Sequence, residues 1–217
     1  MIQVKTFVFN PFSENTYVIY DDTRQAIILD PGCYFPEEQH TITRFIADNK
    51  LKPQYIANTH GHIDHILGMN FLKSHYGIPV IMHPEDLGIL KSGRAFGNML
   101  GIQTEEPEEP DRWIKASEKL EFGHDFFHVY HVPGHSPGSI ALYNENHNLV
   151  FAGDVLFKRA IGRTDLPGGN HQQLINSIKD QLLKLNNDTM VYPGHGETTT
   201  IGEEKDENPF LNTPHHG

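Results

Sequence analysis

The sequence predicts an α/β domain in which sheets and helices form layers. Short apolar runs, bounded by turn residues, read as buried or half-buried strands. Stretches with helical apolar spacing stand between several of them. Strands alternating with helices over one continuous chain favour a layered sheet with helical cover. At 217 residues there is enough chain for one substantial core, and no low-complexity linker divides it. A single domain over residues 1–217 is therefore expected, with a short tail after about residue 197.

The elements follow in order. Ile2 to Phe9 alternates as a half-buried strand, and Asn15 to Tyr20 follows a Pro-containing turn. Ala26 to Leu29 is a continuous apolar run closed by Asp30-Pro31-Gly32. Ile42, Phe45 and Ile46 carry an amphipathic helix from Pro36 to near Asn49. Tyr55 to Asn58 is a strand that delivers Thr59 and His60. A helix is expected to open at Asp64 and end before Gly77 and Pro79, followed by a strand at Val80 to Met82. Pro84 opens a helix to about Lys91. Glu105 to Pro110 is too acidic to bury itself and reads as an exposed loop. Phe126 to His131, Ser139 to Tyr143 and Leu149 to Ala152 read as strands. Asn170 caps a helix with Leu174, Ile175, Ile178, Leu182 and Leu185 on one face. Met190 to Pro193 is the last strand.

Composition narrows the function classes. The formal net charge of −11 argues against a nucleic-acid groove or an anionic membrane surface, since both need basic patches. The single cysteine, Cys33, permits no intrachain disulfide, which fits a reducing cytoplasm. The N-terminal residues show no secretory pattern, and no run of about eighteen apolar residues suggests a membrane span. A soluble, cytoplasmic protein is expected, and its fifteen histidines are the compositional oddity.

Three of these histidines concentrate in one short stretch. In Thr59-His60-Gly61-His62-Ile63-Asp64-His65 the ligand-competent side chains stand at i, i+2, i+4 and i+5. Residues two apart on an extended segment face one side, so His60 and His62 can grip one ion. Asp64 and His65 turn away unless the backbone bends, which Gly61 and the onset of a helical pattern allow. Two adjacent ions are the natural reading. Further ligands then come from other strand ends, where a rigid scaffold places its chemistry: His135, Asp154 and His195. Three nitrogens plus a shared carboxylate suit one ion. A carboxylate, two histidines and the same shared carboxylate suit the other. A closed structural zinc site would be richer in cysteine.

The T-H-G-H-I-D-H stretch, Pro133 to Ser139 (P-G-H-S-P-G-S), Phe151 to Asp154 (F-A-G-D) and Tyr192 to Gly196 (Y-P-G-H-G) resemble, in order, the motifs of the metallo-β-lactamase fold superfamily. Within it the chain is most similar to the small glyoxalase II-like (hydroxyacylglutathione hydrolase-like) hydrolases. The resemblance covers about Ile2 to Gly196 and implies a four-layer αβ/βα sandwich with a metal centre at one edge. It implies that His60, His62 and His135 hold one divalent ion, that Asp64, His65 and His195 hold a second, and that Asp154 bridges them. Zinc is the first expectation for both, with iron or manganese as alternatives. Asp30 matches a family aspartate that orients a ligand from behind.

The implied chemistry is hydrolysis of a thioester, an S-acyl thiol, by a hydroxide shared between the ions, with Asp64 or Asp154 steering the proton. The partner is a small molecule, and nothing in the sequence bears on oligomeric state. Full-length glyoxalase II enzymes add a C-terminal helical region and present a lysine and a tyrosine to glutathione. About twenty residues follow Gly196 here, and Phe157 to Asp165 departs from that pattern, so the glutathione contacts do not carry over. Arg163 can clamp a substrate carboxylate or pair with Asp165. Its G-R-T-D run also resembles persulfide dioxygenases of the superfamily, which use a single iron. A lactonase or a non-catalytic metal-binding member is a further alternative. Substrate choice is expected to reside in the Arg163 loop and in the Gly93 to Trp113 region.

The remaining histidines have ordinary readings. His40, His75, His124, His128, His147 and His171 are expected at the surface or in packing, His131 in a structural role, and His215 and His216 at a frayed end. His83 lies near a strand end and is a lesser catalytic candidate. Cys33 reads as a small apolar filler.

Overall fold

In the computed structural model, which describes residues 1–212, side-chain alternation along the strands creates the layers. His215 and His216 lie outside the described residues. The first sheet contains β1 (Gln3–Phe9), β2 (Glu14–Tyr20), β3 (Gln25–Leu29), β4 (Lys52–Ala57), β5 (Val80–Met82) and β6 (Arg112–Trp113), in that spatial order. β1 to β3 pair antiparallel, and β3 to β6 pair parallel. The helices α1 (Pro36–Asp48) and α2 (Met69–Tyr76) make the crossovers, and α3 (Leu87–Met99) follows β5.

The second half supplies β7 (Lys119–Phe122), β8 (Asp125–His131), β9 (Ile140–Asn144), β10 (Leu149–Gly153), a hairpin of β11 (Leu156–Phe157) and β12 (Ala160–Ile161), α4 (His171–Asp180), β13 (Met190–Pro193), β14 (Thr199–Thr200) and α5 (Ile201–Glu207). Its sheet runs β14-β13-β10-β9-β8-β7.

Tyr17, Ile19, Ile27 and Leu29 point inward and meet Phe127, Val129, Leu142 and Phe151 of the second sheet. The alternate residues Val18, Ile28 and Ile56 meet Ile42 and Ile46 of α1, Leu72 of α2 and Leu90 of α3. On the other side Ala141, Val150 and Val191 meet Leu174 and Ile178 of α4 and Ile201 of α5. The result is the four-layer αβ/βα sandwich. Each fully buried large side chain contributes about 1.5–3 kcal/mol, so both sheets are anchored on both faces.

Several boundaries differ from the sequence reading. Asp64 does not open a long helix: a 3-10 turn at Ile63–His65 intervenes, and α2 starts at Met69. That turn swings Asp64 and His65 away from the extended His60-Gly61-His62 segment. Pro84 opens a 3-10 turn, Pro84–Asp86, and α3 then runs to Met99, well beyond Lys91. The acidic loop is exposed as expected, but ion pairs Lys73–Glu108, Lys91–Glu109 and Arg94–Glu106 pin it to α2 and α3. Between residues 197 and 212 the chain is not a loose tail. β14 and α5 form there, Thr200 Oγ1 caps α5 by accepting from Glu203 N, and Ile201 and Leu211 are buried. Among the described residues no helix is long and apolar enough to cross a membrane.

Candidate metal centre

The site lies where strands of both sheets end. Thr59 to His65 follows β4, His135 follows β8, Asp154 follows β10 and His195 follows β13. Because β10 and β13 are parallel, Asp154 and His195 emerge at the same edge. Gly194 keeps that edge open: a Cβ there would overlap Asp154 Oδ1 and crowd His65.

Two triads result. In the first, His135 Nε2 stands 2.9 Å from His62 Nδ1 and 3.3 Å from His60 Nε2. In the second, Asp64, His65 and His195 converge, with His195 Nε2 3.0 Å from Asp64 Oδ2 and His65 Nε2 3.6 Å from the same oxygen. Asp154 lies between them. Its Oδ2 is 3.6 Å from both His135 Nε2 and His195 Nε2, and its Oδ1 is 3.4 Å from His65 Nε2. All seven side chains anticipated for a binuclear centre thus meet at one place.

The backbone and a buried aspartate set the ring orientations. His135 Nδ1–H donates to the Arg163 carbonyl at 2.8 Å. His195 Nδ1–H is directed at the Phe12 and Ser13 carbonyls, at 3.1 and 3.2 Å. Asp30 accepts both the backbone N–H and the hydroxyl of Thr59 at 2.7 Å, so Thr59 Oγ1 can accept from His60 Nδ1 at 3.1 Å. Asp30 Oδ2 also stands 3.2 Å from His65 Nδ1. In each histidine whose remote nitrogen donates this way, the other nitrogen turns its lone pair into the site.

This donor set fits divalent ions. Converging lone pairs repel unless something positive lies between them. An ion with nitrogen bonds of about 2.1 Å and tetrahedral angles spaces its ligands at about 3.4 Å, close to the spacings of the first triad. Both ring nitrogens of His65 and Oδ1 of Asp154 are buried without a well-directed hydrogen bond, the condition of groups awaiting a partner. Protonation agrees. Burial holds His60 well below its ordinary range, and burial together with His135 pulls His62 down to about 4. Burial raises the Asp154 and Asp64 carboxyls, but the neighbouring histidines, His65 foremost, outweigh it and hold both low. Neutral imidazoles beside ionised carboxylates are the forms that coordinate metal. For His65 and His195 the carboxylates outweigh burial and raise both rings above their ordinary range.

Other expectations resolve differently. The Arg163 guanidinium is exposed and bidentate on Asp165, at 2.8 and 2.7 Å, so its fork is paired there. Its carbonyl is the group that reaches the site. His83 stacks on His131 at 4.2 Å between centroids, apart from the seven, with Glu85 beside them. Two parallel rings cannot direct in-plane lone pairs at one ion, so this cluster is a poor ligand set. Cys33 is fully buried in the core and its thiol is pushed up by burial, in keeping with a filler.

Two buried carboxyl groups were missed. Asp86 accepts from Gly61 N at 2.7 Å, Gly138 N at 2.6 Å and Ser136 Oγ at 2.8 Å, tying the two first-triad loops together. Its signal in the sequence was only an acid beside a turn. Glu14 is wholly buried 3.9 Å from His65 Nδ1, with its pKa raised by burial. An acid shortly ahead of the apolar run Tyr17 to Tyr20 was the available clue.

The comparisons agree with this geometry. The family model described as the metallo-beta-lactamase superfamily matches residues 9–195. The hydroxyacylglutathione hydrolase GloC of Haemophilus influenzae is 38% identical over 204 residues, spanning 93% of this chain and 94% of that protein. The crystal structure of the BLEG-1 B3 metallo-beta-lactamase superposes with a TM-score of 0.88 at 37% identity, covering 97% of this chain and 100% of that one. TTHA1623 in a di-iron-bound form gives a TM-score of 0.88 at 36% identity, with 96% and 100% covered. Sequence and fold agree over almost the whole chain, and the protein belongs to the metallo-beta-lactamase superfamily as one of its metallo-hydrolases.

Proposed function

We propose that the protein hydrolyses an S-acyl thioester at a centre of two divalent ions. His60, His62 and His135 would hold one ion, Asp64, His65 and His195 the other, and Asp154 both. The supporting observation is the position of Asp154 Oδ2, 3.6 Å from a histidine of each triad. The nitrogen-rich donor set favours zinc, and the di-iron form of TTHA1623 keeps iron, with manganese, as an alternative. The thioester is taken from the GloC relative.

Bound ions supply an ionised water at neutral pH and polarise the substrate carbonyl. The chain's own groups do the rest. The Arg163, Phe12 and Ser13 carbonyls and the Asp30–Thr59 pair fix the imidazoles, so little reorganisation accompanies reaction. Asp64 and Asp154, held ionised, stand ready to take the proton of the attacking water. A C–O bond forms, the C–S bond breaks, and the proton returns to the departing thiolate. Cys33 has no part in this, being buried on the far side of the first sheet from the inter-sheet core.

Metal analysis paired with thioester and persulfide assays tests the reading. It expects two ions per chain and hydrolysis that needs no oxygen. One iron per chain with oxygen-consuming persulfide turnover would replace it with the dioxygenase alternative.

A further inference from the structure

Helix α3 turns an apolar side outward next to the centre. Ile89, Ser92, Phe96 and Met99 recur at the spacing that aligns residues along one side of a helix, and Met99 is 82% exposed. Opposite this side the loop after Asp165 brings up Leu166 and Pro167. The narrow space between the two walls, about 40 Å³, ends against His62. No charged side chain lines it. The cations of the same loop, Lys158, Arg159 and Arg163, instead face Glu197, Glu203 and Asp165.

We infer that this groove receives the acyl part of the substrate, an unbranched aliphatic chain of a few carbons, so that the enzyme selects its substrate by acyl chain more than by thiol carrier. The inference rests on the thioester reading and deepens it. A carbonyl that reaches the centre beside His62 has only two substituents, the acyl chain and the sulfur. Peptide-like and nucleotide-like thiol carriers bear carboxylates or phosphates, and burying these in an uncharged groove is costly. Methylenes gain by the same burial, and the wall they would lie against is already apolar. The carrier then lies toward solvent, where its charges stay hydrated. This division also accounts for Ile89 and Met99, apolar residues of α3 that stand outside the core clusters, and for the open side of Phe96, which packs on the core only in part.

The test uses the full-length, metal-loaded protein and two series of compounds. In the first, N-acetylcysteamine thioesters from acetyl to octanoyl keep the carrier neutral and constant. kcat/KM is expected to rise about fourfold per methylene over the first few carbons. In the second, calorimetry measures binding of straight-chain carboxylates from acetate to octanoate, and Kd is expected to fall with similar steepness. Ser92→Phe should flatten both series by filling the groove. Ser92 is exposed and its hydroxyl donates only along its own helix, to the Ile89 carbonyl at 2.8 Å, so folding should survive. Phe96→Ala, which removes one wall, is the second variant and should lower the slope. A carboxylate series that is flat, or that neither variant changes, overturns the groove whatever the turnover. A rising series that the variants flatten, with no thioester cleaved, upholds the groove and overturns the thioesterase reading alone.

Discussion

Asp86 accepts the backbone N–H of Gly61 at 2.7 Å from a position with no solvent exposure. Gly61 separates His60 from His62, and the same carboxylate holds Ser136 and Gly138 beside His135. One side chain therefore sets the distance between the two loops of the first triad. Asp86→Ala leaves two backbone donors, Gly61 N and Gly138 N, without a partner in the interior, while the Ser136 hydroxyl keeps Ser139 Oγ at 2.8 Å. Each costs about 1–3 kcal/mol where water cannot reach it. Thermal unfolding should show a loss of several degrees. Where the variant folds, the affinity of the His60-His62-His135 site should fall about 10–100-fold, as when a ligand's outer partner is lost. Unchanged affinity by competition with a chelator would mean that the loops hold their spacing without Asp86.

Asp30 performs a related task from the end of β3. Its backbone lies in the left-handed region at φ of 50°, a conformation that aspartate tolerates better than most residues. There both oxygens face Thr59, and one of them also faces His65 Nδ1. Asp30→Asn keeps the shape but replaces one acceptor with a donor opposite groups that donate. Metal affinity should drop about 10–100-fold, with a smaller change in unfolding temperature than for Asp86→Ala. Equilibrium dialysis of the two variants side by side checks the order.

Ligand positions were legible because each follows a strand, and a strand end carries its own marks in sequence: an apolar run, then turn residues, then histidine or aspartate. His135 and His195 could be paired with His60 on that basis. Asp86 could not. Its three partners lie 25 to 52 residues away, and the second of two adjacent acids after Pro84 has no periodicity to betray it. The full length of α3 was hidden for another reason. Gly88, Gly93 and Gly97 interrupt its pattern, and the helix accepts Gly93 and Gly97 because Ile66, Ile63 and Ile102 press close to them. α5 did leave a trace, the spacing of Thr200 and Glu203 that marks a helix start. So short a helix shows little else, since its stability comes from Ile201 in the core.

Acid stability offers a check far from the metal centre. Asp111 Oδ2 accepts from Val80 N at 2.9 Å and lies 3.1 Å from Lys73 Nζ. The Val80 hydrogen bond first, and Lys73 after it, hold this carboxyl below its ordinary value despite some burial. A carboxyl whose pKa is depressed by folding contributes stability above its unfolded value, and loses it as pH falls through the folded one. The contribution is therefore whole at neutral pH, starts to fall near the unfolded value of about 4 and is lost as pH drops through the lower folded value. Because Asp111 is well exposed, it amounts to about 1 kcal/mol or less. Asp111→Asn should lower the unfolding temperature slightly at pH 7 and leave it unchanged near pH 2. An equal loss at both would assign the effect to packing instead.

Asp64→Ala separates the two ways in which the seven side chains can be used. Asp64 belongs to the second triad, where its Oδ2 stands 3.0 Å from His195 Nε2 and 3.6 Å from His65 Nε2. It makes no close approach of this kind to His60 or His135, whose nitrogens face His62 and Asp154. Its removal should therefore reduce the metal content from two ions to one while the first triad keeps its own. It also leaves His65 with one less carboxylate neighbour to raise its pKa. If the ions act together on a thioester, hydrolysis should fall more than about 100-fold, beyond what the loss of an outer partner costs. If a single ion at the first triad carries the chemistry, the variant should keep most of its turnover along with that ion. Metal content and rate measured on the same sample distinguish these outcomes, because a variant that loses both ions has lost the site and not merely the second ion.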